Sequence, residues 1–170
     1  MHERSLRPLV IGFSLLVLLQ ATGCAHPPEK ELVALFQSER DTLEELRQMF
    51  EQDRELSCVT RRFYETMANP FEPKYRPGKY LDQARWDVYR KLFRVIGLEG
   101  GMCRSPSSPD SRILFAVSNR GFVFAGSYRG IAYSETSPGT VATSLDNRDH
   151  DGTIYVALEA HWFLYHADSQ

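Results

Sequence analysis

Several features from which an activity is usually read are scarce or missing in this chain. Cysteine occurs three times in 170 residues, at positions 24, 58 and 103. That excludes a disulfide-dense scaffold and a four-cysteine zinc site. No apolar run reaches the ~20 residues that a membrane-spanning helix needs. Neither sign of charge dominates: 20 Lys and Arg face 22 Asp and Glu, for a formal net charge of −2. A mildly acidic chain is a poor match for nucleic acid, and no nucleic-acid partner is expected. Because the charges are interspersed, no polybasic patch for a membrane surface is evident either. There is no internal repeat and no low-complexity segment.

Nucleophile, phosphate and metal motifs are absent or incomplete. Gly126-Ser127-Tyr128-Arg129-Gly130 is not the nucleophile elbow G-x-S-x-G. Gly121 and Gly126 have the glycine spacing of a phosphate loop, but Ser127-Tyr128 follows where lysine and then a serine or threonine are required. Arg120 to Phe124 has the start of an RNA-binding strand, but Val123 is too large and an aromatic is missing at Ser127. Asn147 to Gly152 offers oxygen ligands at alternate positions before a glycine, as in the first half of a calcium loop. Its twelfth position, Leu158, cannot supply the closing carboxylate, so a polar connecting loop is expected. His26, His150, His161 and His166 show no zinc spacing. No cofactor, metal or catalytic residue is assigned. If the chain were an enzyme, Asp149, His150 and His161 would be its nominees.

What is present begins with an address. Arg4 and Arg7 precede the apolar run Leu9–Leu19, and the small residues Ala21-Thr22-Gly23 lead into Cys24. A basic start, a short apolar core and small residues make a secretory signal peptide. The stretch Ala21 to Cys24 resembles the lipobox of bacterial lipoproteins, with Ala21 where leucine is commonest. The resemblance implies cleavage before Cys24 and lipidation of that cysteine. It also implies anchorage in the cell envelope, and Ala25 in place of an aspartate favours the outer membrane, facing the periplasm. Residues 1–23 are then the signal peptide, 24–28 the lipidated cysteine and a short tether, and 29–170 one domain. Removing 1–23 takes away Arg4, Arg7 and Glu3 and moves the net charge to −3. A tether of about five residues reaches at most ~16–18 Å. In an oxidising compartment Cys58 and Cys103 are expected to pair, the alternative being two separate buried thiols.

The spacing of apolar residues predicts an α+β fold, an antiparallel sheet of about 4–6 strands covered by a long N-terminal helix and a second helix. Leu32, Leu35, Phe36, Leu43, Leu46, Met49 and Phe50 recur at helical steps and predict one helix over 29–53. The stripe meets Glu39 and is too short for a coiled coil, so packing on the sheet is expected. Leu56 to Thr60 reads weakly as a strand. Residues 68–79 carry Pro70, Pro73, Pro77 and Gly78 and are expected to be a loop. Asp82 and Gly97 bracket the second helix, about 83–96, as N-cap and C′ residues.

The opening of the sheet is expected within residues 98–103, followed by a turn over 105–110. Ile113 to Val117 and Phe122 to Ala125 read as partner strands joined through Asn119-Arg120-Gly121. Gly126 and Gly130 are expected to let the chain leave the ladder. Ser127, Tyr128 and Arg129, with Tyr133, would then be displayed as a binding loop, a bend of the sheet being the competing reading. Ile154, Val156 and Leu158 alternate as a strand, and Phe163 to Tyr165 is a further one, with Ala160-His161 between them or a single bent strand instead.

The C-terminal two-thirds resembles a set of small uncharacterised bacterial proteins. The shared pattern is Arg85-Trp86, Tyr89-Arg90 and Leu92-Phe93, then Gly126-Ser127-Tyr128-Arg129-Gly130-Ile131-Ala132-Tyr133, then Trp162-Phe163-Leu164-Tyr165. That resemblance implies an α+β domain and no particular activity. Ser127-Tyr128 with the following Gly-x-x-Tyr is similar, loosely, to a loop of periplasmic lysozyme inhibitors, which are nearly all-β. The expected role is a non-enzymatic binding module that meets the bilayer through Cys24 and an unknown envelope protein through its surface. An immunity or enzyme-inhibitor protein is the first alternative and a hydrolase-like enzyme the second.

Overall fold

The computed structural model describes residues 25–104, 112–122, 125–146 and 152–169. Cys24, the expected turn at 105–110, and Asp149 and His150 lie outside them. Three helices and eight strands follow in chain order: α1 (Glu29–Ser38), α2 (Arg40–Gln52), β1 (Leu56–Val59), β2 (Tyr64–Thr66), β3 (Asn69–Lys74), α3 (Gln83–Val95), β4 (Gly101–Arg104), β5 (Ile113–Phe122), β6 (Ala125–Tyr133), β7 (Thr153–Glu159) and β8 (Trp162–Ser169). All strands join one antiparallel sheet in the order β3-β2-β1-β4-β5-β6-β8-β7. The α+β class is as expected; the strand number is larger than expected.

The two extra strands are β2 and β3. β3 contains Pro70 and Pro73, which argued for a loop. Proline cannot donate to a ladder, so it is confined to strands with one unpaired side. β3 is such a strand, at the edge of the sheet, and pairs only with β2.

The N-terminal helix is also corrected. It breaks into α1 and α2 at Glu39, whose φ and ψ are −114° and 20°. This is the position where the apolar stripe meets a polar residue. Its neighbour Arg40 turns that interruption to use: the guanidinium lies 4.7 Å over the Trp162 ring and its Nε–H donates to Glu159 at 2.7 Å. Leu32 and Phe36 of α1 and Leu43, Leu46, Met49 and Phe50 of α2 are all buried.

α3 forms as the local chemistry dictates. The Asp82 carboxylate accepts from the Arg85 N–H at 2.8 Å, and Gly97 follows the helix with φ 70°. Trp86, Tyr89 and Phe93 turn inward. Arg85 and Tyr89 both donate to Asp53 Oδ2, at 2.9 and 2.7 Å, and so tie α3 to the end of α2. The helices cover one face, against a row that runs Met102, Phe115, Ile131, Leu164 and Val156 across neighbouring strands. On the other face a smaller cluster of Ala132, Tyr155 and Tyr165 is buried.

Asn119-Arg120-Gly121 is not a connection: β5 runs on, pairing Asn119 with Tyr128, Arg120 with Ser127 and Gly121 with Gly126. Gly126 and Gly130 therefore stay in the ladder instead of leaving it. Gly130 serves a different purpose, because a Cβ there would collide with the Phe115 carbonyl of β5. The Ala160-His161 turn forms as proposed, with His161 at φ 68°, a region that histidine enters more readily than most residues.

Cys58 and Cys103 stand directly opposite each other on β1 and β4 and are joined by a disulfide, their Cα atoms 4.1 Å apart. The bridge links positions 45 apart in sequence. It closes the sheet's β3-β2-β1 wing onto the central strands. We expect the double variant Cys58→Ala/Cys103→Ala to lose about 4 kcal/mol of stability in urea titration, from the restored freedom of the unfolded chain. Two freely alkylatable thiols in the wild-type protein kept under oxidising conditions would contradict the pairing.

Candidate functional site

The sequence pointed to Ser127, Tyr128, Arg129 and Tyr133, and β6 carries all four. β6 is an interior strand between β5 and β8. Alternation along it sends Ser127, Arg129 and Tyr133 to the helix-covered face and Tyr128 to the other. This corrects the expectation of an exposed loop: Arg129 is 7% exposed, Ser127 and Tyr133 are half-buried, and Tyr128 is the most exposed of the four at 37%. The four residues do not form one site. Tyr133 lies about 13 Å along the strand from Arg129. Its ring packs between Trp162 and the Arg47 guanidinium, and its hydroxyl donates to Glu135.

What the structure assembles around Ser127 and Arg129 is a polar seat for the N-terminal segment. An irregularity in β5 between Ala116 and Ser118 places Ser118 opposite Arg129. β8 adds His166 opposite Arg129 and Asp168 opposite Ser127. Onto these residues His26 descends. One imidazole nitrogen lies 2.6 Å from Ser118 Oγ and the other 2.5 Å from Ser127 Oγ. Its ring meets His166 edge to face at 5.5 Å.

Arg129 completes the seat. Its Nη1 donates to the Pro27 carbonyl at 3.2 Å, and its Nη2 donates to the Leu145 carbonyl at 3.1 Å and to Asp146 at 2.7 Å. Glu29 closes the circuit: one carboxylate oxygen accepts from the Ser144 hydroxyl at 3.0 Å and the Leu145 N–H at 2.9 Å. One guanidinium thus joins the N-terminus, a central strand and the 144–146 loop. A planar group with five donors can serve three acceptors in different directions, which an ammonium on a flexible stem does less well.

The electrostatics favour a neutral His26. Burial lowers its pKa below 6.5, and the neighbouring His166, Arg129 and Arg120 lower it further, against a smaller opposing pull from Asp168. A neutral ring donates one hydrogen bond and accepts one, which two serine hydroxyls satisfy.

Chemically this is a latch. A nucleophilic serine needs a base that a third group orients, usually a carboxylate. Both His26 nitrogens are occupied by serines, and Asp168 pairs instead with His166 at 3.3 Å. His161, the only enzyme nominee among the described residues, sits in the β7–β8 turn with its ring 3.3 Å from the Ser134 carbonyl. No group of three His, Cys, Asp or Glu side chains among the described residues is placed to hold a metal ion.

Ser118 and Asp168 were not singled out from the sequence, and His26 and His166 were weighed only as zinc ligands. His166 and Asp168 share a face by strict alternation, and that much was readable. Which strands would flank them was not. No protein-family model matches the chain, and no curated protein or solved structure matches it either.

Arg129→Ala removes the donors of two backbone carbonyls, at a cost of about 2–3 kcal/mol. A fall of roughly 5–10 °C in melting temperature is expected by calorimetry. An unchanged melting temperature would show that the seat contributes nothing. His26 also gives a pH dependence. The unfolded chain takes up its proton at about pH 6.5 while the folded form resists it, so stability is held above that pH and lost as pH falls below it. His26→Gln should flatten this part of a urea-midpoint-against-pH profile.

Proposed function

We propose that the chain is an envelope lipoprotein, lipidated at Cys24 and held at the outer membrane facing the periplasm, whose domain is a non-enzymatic binding module. The lipobox-like stretch Ala21 to Cys24 supports the anchor. The seat of His26 supports a particular consequence of it. Only Ala25 separates Cys24 from a residue bound to the sheet, so the lipid and the seat are within about 7 Å. The working tether is shorter than the five residues expected, and the domain is held with one end against the bilayer.

The observation that carries the binding role is the apolar rim at the β2–β3 edge. Phe71 is 91% exposed, Tyr75 67% and Met67 54%, and Tyr80 is also exposed. These four residues fall within fourteen positions of one another at the β2–β3 edge and the chain that leaves it. Scattered exposed apolar residues are ordinary, but clustered aromatics mark surfaces that other molecules cover. Pro70 and Pro73 on β3 disfavour strand addition, so recognition would run through side chains. The partner class is an envelope protein within reach of an anchored domain.

A photo-crosslinking residue at Phe71 in the anchored protein should give one discrete adduct in the native envelope, and the same probe at Tyr128 should not. Cys24→Ser should remove the protein from the membrane fraction or leave the precursor uncleaved. Equal labelling at both probe sites contradicts the binding surface. A processed, anchored Cys24→Ser protein contradicts the lipoprotein reading.

A further inference from the structure

Residues 54–94 hold ten of the chain's 20 Lys and Arg and five of its 22 Asp and Glu. The fold decides where that excess points. β1 passes to β2 through the turn Thr60–Phe63, which is tightly held. The Thr60 hydroxyl accepts from the Arg62 and Phe63 N–H groups at 3.1 and 2.9 Å. α3 fastens the turn from outside: Trp86 Nε1–H donates to the Thr60 carbonyl at 2.8 Å and Arg90 Nε–H to the Arg61 carbonyl at 2.9 Å. The backbone is therefore consumed, while the Arg61 and Arg62 side chains stand exposed. Neither is in an ion pair among the described residues, whereas Lys74, Arg85, Arg90, Arg120 and Arg129 all are.

The register places this turn relative to the anchor. Val59 pairs with Tyr64 and Met102, Gly101 with Ala116, Ala116 with Gly130, and Ser118 with Arg129. Followed across the sheet, the Thr60–Phe63 turn and the His26 seat emerge at the same end. They are about three strand spacings apart, or ~14 Å. Exposed Arg76, just beyond Lys74 opposite Tyr64, extends the basic edge at that end. A shallow hollow beside the turn is lined by Thr60, Arg61, Arg62, Phe63, Gly100, Asn119 and one carboxylate, Glu99. Glu99 lies 3.8 Å from Arg120, which offsets it.

We infer that the Thr60–Phe63 turn is a second membrane contact, at which Arg61 and Arg62 lie against anionic phospholipid headgroups. The inference rests on the reading of Cys24 as the lipid anchor. With His26 seated, that anchor holds this end of the sheet toward the headgroups, and charges act through physiological salt over ~8–10 Å. Two exposed guanidinium groups with no carboxylate of their own are matched there by phosphates. Single-chain anchors bind reversibly unless a basic patch assists them, and the same logic would fix the orientation of a more firmly anchored domain.

The test uses the lipidated protein, purified from membranes and reconstituted in vesicles of phosphatidylcholine alone or mixed with phosphatidylglycerol. Trypsin cleavage after Arg61 and Arg62 is followed by mass spectrometry. Cleavage after Arg54, an exposed arginine at the opposite end of β1, is the internal reference. Flotation should be equal on both vesicles. Phosphatidylglycerol should slow cleavage at Arg61 and Arg62 by about tenfold relative to Arg54, and raised salt should abolish the difference. Equal rates on both vesicles, with flotation intact, overturn the contact and leave the anchor standing. Protection seen only in the native envelope, and not in vesicles, also overturns it and assigns the arginines to an acidic protein. Failure to float on neutral vesicles overturns the anchor and the contact together.

Discussion

One buried guanidinium organises the end of this molecule at which the N-terminal segment meets the sheet. Arg129 sits on an interior strand, on the face that the helices cover, and reaches the Pro27 and Leu145 carbonyls and Asp146. A buried cation is costly unless its donors are met and its charge is offset. Here the acceptors for its two Nη groups come from separate segments, so meeting them requires both the N-terminal segment and the 144–146 loop to be in place, while the buried Nε has no partner among the described residues. Glu29 then binds the same loop from the first turn of α1. The start of the chain, its first helix and the sheet are thereby made one body. His26 adds a bridge between two serines, where burial and the neighbouring His166, Arg129 and Arg120 disfavour its protonation.

The remainder of the fold is fastened by different means. The Cys58–Cys103 bridge joins the β3-β2-β1 wing to the centre, and Asp53 collects Arg85 and Tyr89 to hold α3 against α2. Arg40 covers the one gap in the apolar stripe of the N-terminal helices. Each of these acts where hydrophobic packing alone leaves a seam. The proposed binding edge with Phe71 and Tyr75 and the proposed membrane-facing turn with Arg61 and Arg62 are both tied to the central strands through this wing.

Local chemistry made some of this legible in advance. Asp82 and Gly97 delimited α3 because capping depends on neighbours in sequence. Alternation gave β7, and the cysteine count left one pair to consider. Features that depend on long-range pairing were not legible. Pro70 and Pro73 excluded a helix correctly but could not say that β3 would lie at an edge. Asn119-Arg120-Gly121 has the composition of a turn, yet pairing with β6 keeps it extended. Arg129 looked displayable between two glycines, because nothing near it in sequence reveals that β5 and β8 flank it or that Pro27 lies above it. Gly126 and Gly130 invited the same mistake. Gly130 is small because the Phe115 carbonyl passes where a side chain would go, not because the chain must turn there.

The central claim is that the residues immediately after Cys24 are part of the folded body and not a flexible leash. Backbone ¹⁵N relaxation of the protein tests it most directly. The His26 amide should have an order parameter of about 0.85, the value of the strands beneath it. An order parameter below about 0.6 at His26, with β6 and β8 rigid, would contradict the account and leave the segment before α1 detached from the sheet.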